Sequence, residues 1–170
     1  MKHASRSLLT LAAALGLASA AQAGDLVLAP VGPAPASSAA NPTYGQLTVN
    51  SAYNVNAPPP SVPDYIRIHT DYDILTADGR LFQKVHNTTG TWGQDAVPVA
   101  LPAGSYRVVA RVKGYGVMTI PIVIRAREMT FLHLEGSTNW NEDKALASSN
   151  PVRLPNGRII GWRAPQPAAP

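Results

Sequence analysis

The stretch that decides the fold is LPAGSYRVVARVKGYGVMTIPIVIRAREMTFLHLEG, from Leu101 to Gly136. In its first half every second residue is apolar, which predicts a strand with one buried face and one face in solvent. The predicted buried residues are Tyr106, Val108, Ala110 and Val112. Gly114-Tyr115-Gly116 then leads into a second strand over residues 117–125. The residues that share its apolar face are Met118, Ile120, Ile122 and Ile124. The pattern therefore predicts a hairpin with an apolar inner surface.

The residues next to this hairpin extend the sheet. Pro102-Ala103-Gly104 predicts a turn before it, with glycine in the left-handed position. After it, residues 129–135 predict a strand that buries Leu132 and Leu134. Pro121 has no N–H to donate to a neighbouring strand, so its strand is expected at an edge or at a bulge.

The segment before the hairpin shows the same two-residue period. Residues 72–76 and 81–86 flank Asp78-Gly79, a dipeptide that accepts the positive φ of a tight turn, and so predict a second hairpin. Shorter alternating stretches lie at 66–69 and 97–101. Because the chain has no helical stripe, residues 65–136 are predicted to form an all-β domain. The expected fold is an antiparallel immunoglobulin-like or transthyretin-like sandwich of about seven strands.

One motif in this domain resembles a known family. The residues that carry the resemblance are Leu101, Pro102, Gly104, Tyr106 and the later pair Gly114-Tyr115. Their spacing is similar to that in the second half of transthyretin-like sandwiches, namely the carboxypeptidase regulatory-like and PEGA-type domains of secreted bacterial proteins. Where that pattern has a glycine before the last strand, this chain has Ala126-Arg127-Glu128. The resemblance implies an accessory, adhesive or structural module of the cell envelope, without catalytic residues of its own.

Residues 1–23 have the three parts of a secretory signal peptide. Lys2 and Arg6 precede an apolar stretch, which ends before the small-x-small motif Ala21-Gln22-Ala23. The apolar stretch is shorter than the roughly 20 residues that a membrane-spanning helix needs. Cleavage is therefore expected between Ala23 and Gly24, and the mature protein is expected to be periplasmic or secreted.

The two ends of the mature chain are rich in proline, alanine and polar residues. Residues 24–64 are predicted to be a linker, with a short edge strand at 46–53. Residues 137–170 are predicted to be a polar extension that contains a small hairpin at 152–162.

The composition excludes several classes of function. None of the 170 residues is cysteine, which excludes disulfide scaffolds, thiolate zinc sites, iron–sulfur clusters and thiol nucleophiles. The net charge of +4 falls to +2 once Lys2 and Arg6 leave with the signal peptide. Nucleic acid is therefore not an expected partner. No later segment is long and apolar enough to predict a membrane span.

The sequence offers little for catalysis or metal binding. It contains no nucleophile motif, phosphate loop or short metal-ligand spacing, so no catalytic residue, metal site or cofactor is predicted. His69 and His133 are out of phase with the apolar residues beside them and are expected to point outward, whereas His86 lies at the end of its strand. The alternative hypothesis is a small periplasmic metal-binding protein that uses these three histidines.

Two sets of residues are candidates for contact with an envelope protein or glycan. Trp92, Trp140 and Trp162 lie in or beside polar loop sequence, where a ring can stack on a sugar or could instead plug one end of a small core. Arg107, Arg111 and Lys113 form a basic row that could bind a partner or simply be a solvated sheet face. The sequence thus predicts a secreted, non-enzymatic envelope module, with an unknown protein or glycan as its partner and no indication of its oligomeric state.

Overall fold

The computed structural model describes residues 27–54, 67–89, 94–136 and 150–165. Within these ranges the chain forms ten strands and no helix, so the prediction of an all-β chain is confirmed for this part of the protein. The strands are β1 (Val31–Gly32), β2 (Tyr44–Asn50), β3 (Tyr72–Thr76), β4 (Leu81–Val85), β5 (Pro98–Pro102), β6 (Gly104–Val112), β7 (Gly116–Ile124), β8 (Met129–His133), β9 (Pro151–Arg153) and β10 (Ile159–Arg163).

The strands form two hydrogen-bonded sheets. One has seven strands in the order β4-β3-β6-β7-β1-β10-β9, and the other has three in the order β5-β2-β8. Most neighbours are antiparallel, but β1 pairs with β7, and β2 with β8, in parallel. The expectation of a purely antiparallel structure of about seven strands is therefore wrong. Parallel pairs join strands that are distant in sequence, and so leave no hairpin signal between them.

One main hydrophobic core joins the two sheets. Its centre comes from β6 and β7, and the faces predicted for these strands are confirmed. The residues buried as predicted are Tyr106, Val108, Ala110, Val112, Ile120, Ile122 and Ile124. The three-stranded sheet adds side chains that include Leu47, Val49, Leu101 and Leu132. Because apolar surface from both sheets is removed from water in one place, their packing is the main source of stability.

The turns show where the backbone constrains the sequence. In the predicted β3–β4 hairpin, Gly79 has a φ of +88° and its N–H donates to the Thr76 carbonyl at 2.9 Å. Arg127 has a φ of +66°, which is unfavourable for a residue with a Cβ. It stands where the transthyretin-like pattern has a glycine. Gly104 was expected in the left-handed region, but it is the first residue of β6 and is not among the positive-φ residues.

Tyr106 closes the connection between β5 and β6. Its hydroxyl donates to the Pro102 carbonyl at 3.1 Å, four residues upstream. A Cβ placed on Gly104 would lie 3.5 Å from Cε2 of the Tyr106 ring, an ordinary van der Waals contact, so the ring alone does not require glycine here. The geometry resembles the tyrosine corner of immunoglobulin-like sandwiches, where a tyrosine hydroxyl bonds back to the backbone at a strand connection.

Two stretches of the predicted linker at 24–64 belong to the sheets. β1 lies between β7 and β10, and β2 is the middle strand of its sheet, so the edge position expected for the strand at 46–53 is wrong. Val31, Leu47 and Val49 are fully buried. β1 was not predicted, because its two residues lie among proline and alanine, whereas the strand predicted at 46–53 corresponds to β2.

The remaining predictions concern Pro121, the C-terminal hairpin, the signal peptide and membrane spans. Pro121 lies in β7, inside the larger sheet, but its neighbour β1 has only two residues and pairs with β7 at Ile122. β9 and β10 form an antiparallel hairpin at the position of the one predicted at 152–162. The predicted signal peptide and the Ala23–Gly24 bond lie outside the described residues. The residues that are described include no helix with the length and apolar character to cross a bilayer.

Candidate binding groove

Residues 52–54, which follow β2, form backbone hydrogen bonds with the end of β6 on one side and with residues 67–70, before β3, on the other. The Ala52 N–H donates to the Arg111 carbonyl at 2.8 Å, and the Thr70 N–H donates to the Ala52 carbonyl at 3.0 Å. The Asn54 N–H donates to the Ile68 carbonyl at 2.7 Å. These backbone bonds hold residues 52–54 between the end of β6 and residues 67–70.

A groove of about 490 Å³ lies along this segment. Its lining residues are Ala52, Tyr53, Asn54, Arg67, Arg111, Val112, Lys113, Gly114 and Gly116. Arg111 and Lys113 come from the end of β6 and the turn beyond it, whereas Arg67 comes from the segment before β3. Three cationic side chains from two distant parts of the chain therefore reach one concave surface.

The three cations of the groove are exposed and have no acidic partner among the described residues. No carboxylate in that part of the chain lies within 4.0 Å of the charged nitrogens of Arg67, Arg111 or Lys113. Because these cations are exposed, water solvates their charges. Their clustering is therefore not a source of stability for the fold. Their shared positive charge favours an anion at this position.

A second cleft, of about 460 Å³, adjoins the groove and shares Asn54 and Arg111 with it. We call it the acidic cleft, because Asp71 and Asp73 line it. Both carboxylates already have partners. His86 Nδ1 donates to Asp71 at 3.0 Å, and Lys84 Nζ donates to Asp73 at 3.2 Å. Asp71 and Asp73 thus have partners of their own, and neither forms an ion pair within 4.0 Å with a cation of the groove.

Tyr53 holds Arg67 in place within the groove. The Arg67 guanidinium carbon lies 5.7 Å from the centroid of the Tyr53 ring, and the same ring stacks on His69 with a centroid distance of 4.8 Å. A guanidinium over an aromatic face is attracted by the ring quadrupole. Burial raises the pKa of the Tyr53 phenol, the Glu135 carboxylate adds to the rise, and Arg67 opposes it. The phenol therefore stays protonated and remains a hydrogen-bond donor.

Behind the groove lies a buried network of polar side chains. His69 Nδ1 donates to the Ser51 carbonyl at 2.6 Å, and the Ser51 hydroxyl donates to the Thr70 carbonyl at 2.6 Å. The Asn87 amide donates to the Val49 carbonyl at 2.8 Å and to Ser51 Oγ at 3.0 Å. The amide oxygen of Asn87 also accepts the N–H of Val97 at 3.0 Å. Because Ser51 and Asn87 are fully buried, their polar atoms cannot form hydrogen bonds with water, and the bonds within the network replace them.

The three histidines of the metal-binding hypothesis lie apart. His69 is buried in the network above, so the expectation that it points outward is wrong. It belongs to an isolated bridge with Tyr53 and not to a regular strand, so strand phase did not apply to it. His86 is exposed beside Asp71. His133 is largely buried and not outward-facing; its Nδ1 lies 3.9 Å from Glu135 and 3.3 Å from the Asn50 amide. Within the described ranges no three potential ligands come close enough to hold a metal ion.

The predicted contact residues have separate positions. Arg111 lines the groove, but Arg107, on the same face of β6, does not. Trp162 is only 8% exposed and packs with Ile159 in a second hydrophobic cluster, which corresponds to a core plug rather than an open platform. Trp92 and Trp140 lie outside the described residues.

Tyr53 and Arg67 were not singled out from the sequence. Tyr53 is the last residue of the short strand predicted at 46–53, and Arg67 is one polar residue in a short alternating stretch. No local signal connected either residue to Arg111.

Comparison of the chain with protein-family models, curated proteins and solved structures finds no match. The chemistry of the groove therefore rests on its own residues.

Proposed function

We propose that this protein is an exported, non-enzymatic module of the cell envelope that binds another envelope component, a protein or a glycan. The observation that carries this function is the groove, in which Arg67, Arg111 and Lys113 meet on a concave surface without acidic partners among the described residues. Export is supported by the three-part pattern of residues 1–23, with cleavage proposed between Ala23 and Gly24.

Membership of the transthyretin-like sandwiches, in the carboxypeptidase regulatory-like or PEGA-type branch, is part of the same proposal. Two observations support it. The Tyr106 hydroxyl and the Pro102 carbonyl bond at the connection where the family motif lies. Arg127 also has a left-handed φ in the turn where the family pattern has a glycine. Both features indicate that the motif residues shape the backbone at strand connections. This agrees with a family in which one fold carries different binding surfaces.

A binding role is favoured over catalysis by the chemistry of the groove lining. The ionisable groups that line it are one tyrosine, two arginines and one lysine, with no histidine or carboxylate among the described lining residues. General acid–base catalysis needs a group that gains and loses a proton near the working pH, and nucleophilic catalysis needs a base beside a nucleophile. The described lining supplies charge and hydrogen-bond donors instead.

Cosedimentation with envelope material tests the proposed function. The purified exported protein is mixed with insoluble envelope from the producing cell, either untreated or digested with protease, and bound protein is measured after centrifugation. We expect saturable binding that is lost in an Arg111→Ala/Lys113→Ala variant. Survival of binding after protease treatment identifies a glycan partner, and its loss identifies a protein.

Arg107→Ala is the matched control, because Arg107 has the same side chain and lies on the same face of β6 but outside the groove. It should bind like the unmodified protein. Binding that is absent, or that falls equally in both variants, would contradict the role of the groove.

A further inference from the structure

The charge of the groove specifies the kind of group that binds there. Arg67, Arg111 and Lys113 converge without a described acidic partner, and the two carboxylates of the acidic cleft are already engaged. A binding surface is complementary in charge to its ligand. Arginine presents a planar fork of donors that matches carboxylate and phosphate oxygens. A ligand with such anionic groups would complement the three cations.

The groove is also organised before any ligand arrives. Arg67 lies over Tyr53, and Tyr53 stacks on His69, which is buried and bonded to the Ser51 carbonyl. The Ala52 N–H donates to the Arg111 carbonyl and so fixes the backbone from which the Arg111 side chain extends. A cation that is already positioned, as Arg67 is by Tyr53, loses less conformational freedom on binding, so more of its interaction energy appears as affinity.

The aliphatic side chains of the lining are buried. Ala52 and Val112, its two aliphatic residues other than glycine, are 6% and 1% exposed. The Tyr53 ring already stacks on His69 and contacts the Arg67 guanidinium. The polar groups of the described lining include the three cations and the Tyr53 hydroxyl. These groups favour a ligand that carries negative charge and hydrogen-bond acceptors.

We infer that the groove binds an anionic saccharide through the carboxylate or phosphate groups of its sugars. This inference rests on the proposed function and narrows it from an envelope component to one chemical class. A cavity of about 490 Å³ is large enough for a short oligosaccharide, and sugar hydroxyls can accept hydrogen bonds from its cations and from the Tyr53 hydroxyl. Arg67 on one wall and Arg111 and Lys113 on the other would hold the anionic groups.

Isothermal titration of the exported protein with four probes tests this assignment. The probes are a trigalacturonate, which carries carboxylates, a phosphorylated trisaccharide, neutral maltotriose, and a single-stranded oligodeoxynucleotide. We expect binding of at least one anionic sugar, no binding of maltotriose, and weaker binding as salt is raised. Whichever anionic sugar binds more tightly identifies the source of the charge. Arg111→Ala should lower that affinity by about tenfold or more, as loss of a charge-assisted contact does, whereas Arg107→Ala should change it by less than about twofold.

Other outcomes overturn the inference in distinguishable ways. Equal binding of maltotriose and the anionic sugars would remove the charge requirement and leave the proposed function standing. Tighter binding of the oligonucleotide would assign the groove to nucleic acid. Envelope binding without binding of any sugar probe would again leave the proposed function and reject the anionic saccharide. Failure of both the envelope and sugar experiments would reject both.

Discussion

Residues 49–54 separate two polar regions that differ in what their side chains do. On the inner side, Asn87 and Ser51 are fully buried, and their polar atoms bond to the chain itself. On the outer side, Arg67, Arg111 and Lys113 are exposed around a groove and have no acidic partner in the described ranges. The first arrangement stabilises the fold, because unsatisfied buried groups are costly. The second contributes little to stability, because exposed charges remain solvated, and its proposed role is binding.

The inner region should show the largest effect on stability. Asn87→Ala removes an amide that bonds to the Val49 carbonyl, Ser51 Oγ and the Val97 N–H, and leaves those groups buried without it. We expect the free energy of unfolding to fall by about 2–4 kcal/mol, measured by denaturant titration. Asn156→Ala is the control, because that side chain is exposed and accepts one hydrogen bond, from the Arg158 N–H. A loss below about 0.5 kcal/mol at Asn87, which is typical of a surface site, would show that the network does not hold the fold together.

Tyr53 connects the two regions, because it stacks on His69 and holds Arg67. Tyr53→Ala should therefore have a mixed effect, with the free energy of unfolding reduced by about 1 kcal/mol and binding through the groove weakened. Tyr53→Phe keeps the ring and should restore the stability. If Tyr53→Ala changes stability but leaves binding intact, Arg67 does not depend on the ring.

Tyr72 offers a contrast within the interior. Its hydroxyl is buried and has no hydrogen-bond partner among the described residues, and burial raises the pKa of the phenol well above its ordinary value. Removal of an unsatisfied buried hydroxyl relieves a desolvation cost. Tyr72→Phe should therefore leave the free energy of unfolding unchanged or raise it by up to about 1 kcal/mol. A clear loss in thermal denaturation would reveal a partner for this hydroxyl.

The acidic cleft should contribute a small, pH-dependent effect. Partial burial raises the pKa of Asp71, but hydrogen bonds from His86 and the Asn87 N–H outweigh burial and hold the pKa below its ordinary value of 3.8. A lowered pKa means that the charged form stabilises the folded state above the unfolded-state pKa, and that this stability is lost as pH falls through the folded-state pKa. Asp71→Asn should be slightly less stable than the unmodified protein at neutral pH. The thermal unfolding curves of the two should converge in acid, and a constant difference at every pH would contradict this role.

The part of the fold that was predictable is the part stabilised by neighbours in sequence. Alternation in β6 and β7, and Asp78-Gly79 between β3 and β4, report hairpins because each strand pairs with the next one along the chain. β1 and β2 gave no comparable signal. Each has a parallel partner from a distant part of the chain, and proline and alanine dominate the sequence around them.

The groove, too, could be predicted only where its residues are neighbours in sequence. Arg111 and Lys113 were predictable as a basic row because they share one strand phase. Their meeting with Tyr53 and Arg67 depends on backbone bonds from Ala52 and Asn54, which join segments that the alternation pattern does not connect. His69 shows the error that results, because a phase rule for regular strands was applied to a residue held by an isolated bridge.

The claim that the cations of the groove serve binding and not folding is tested most directly by an Arg111→Gln/Lys113→Gln variant. Its free energy of unfolding and its binding to envelope material are measured side by side. Two like charges on one strand face repel each other, so their removal should leave the free energy of unfolding unchanged or raise it by up to about 1 kcal/mol, more at low salt than at high salt. Envelope binding should be lost. A fall of more than about 1 kcal/mol in stability with binding retained would contradict the account, because it would make these cations structural.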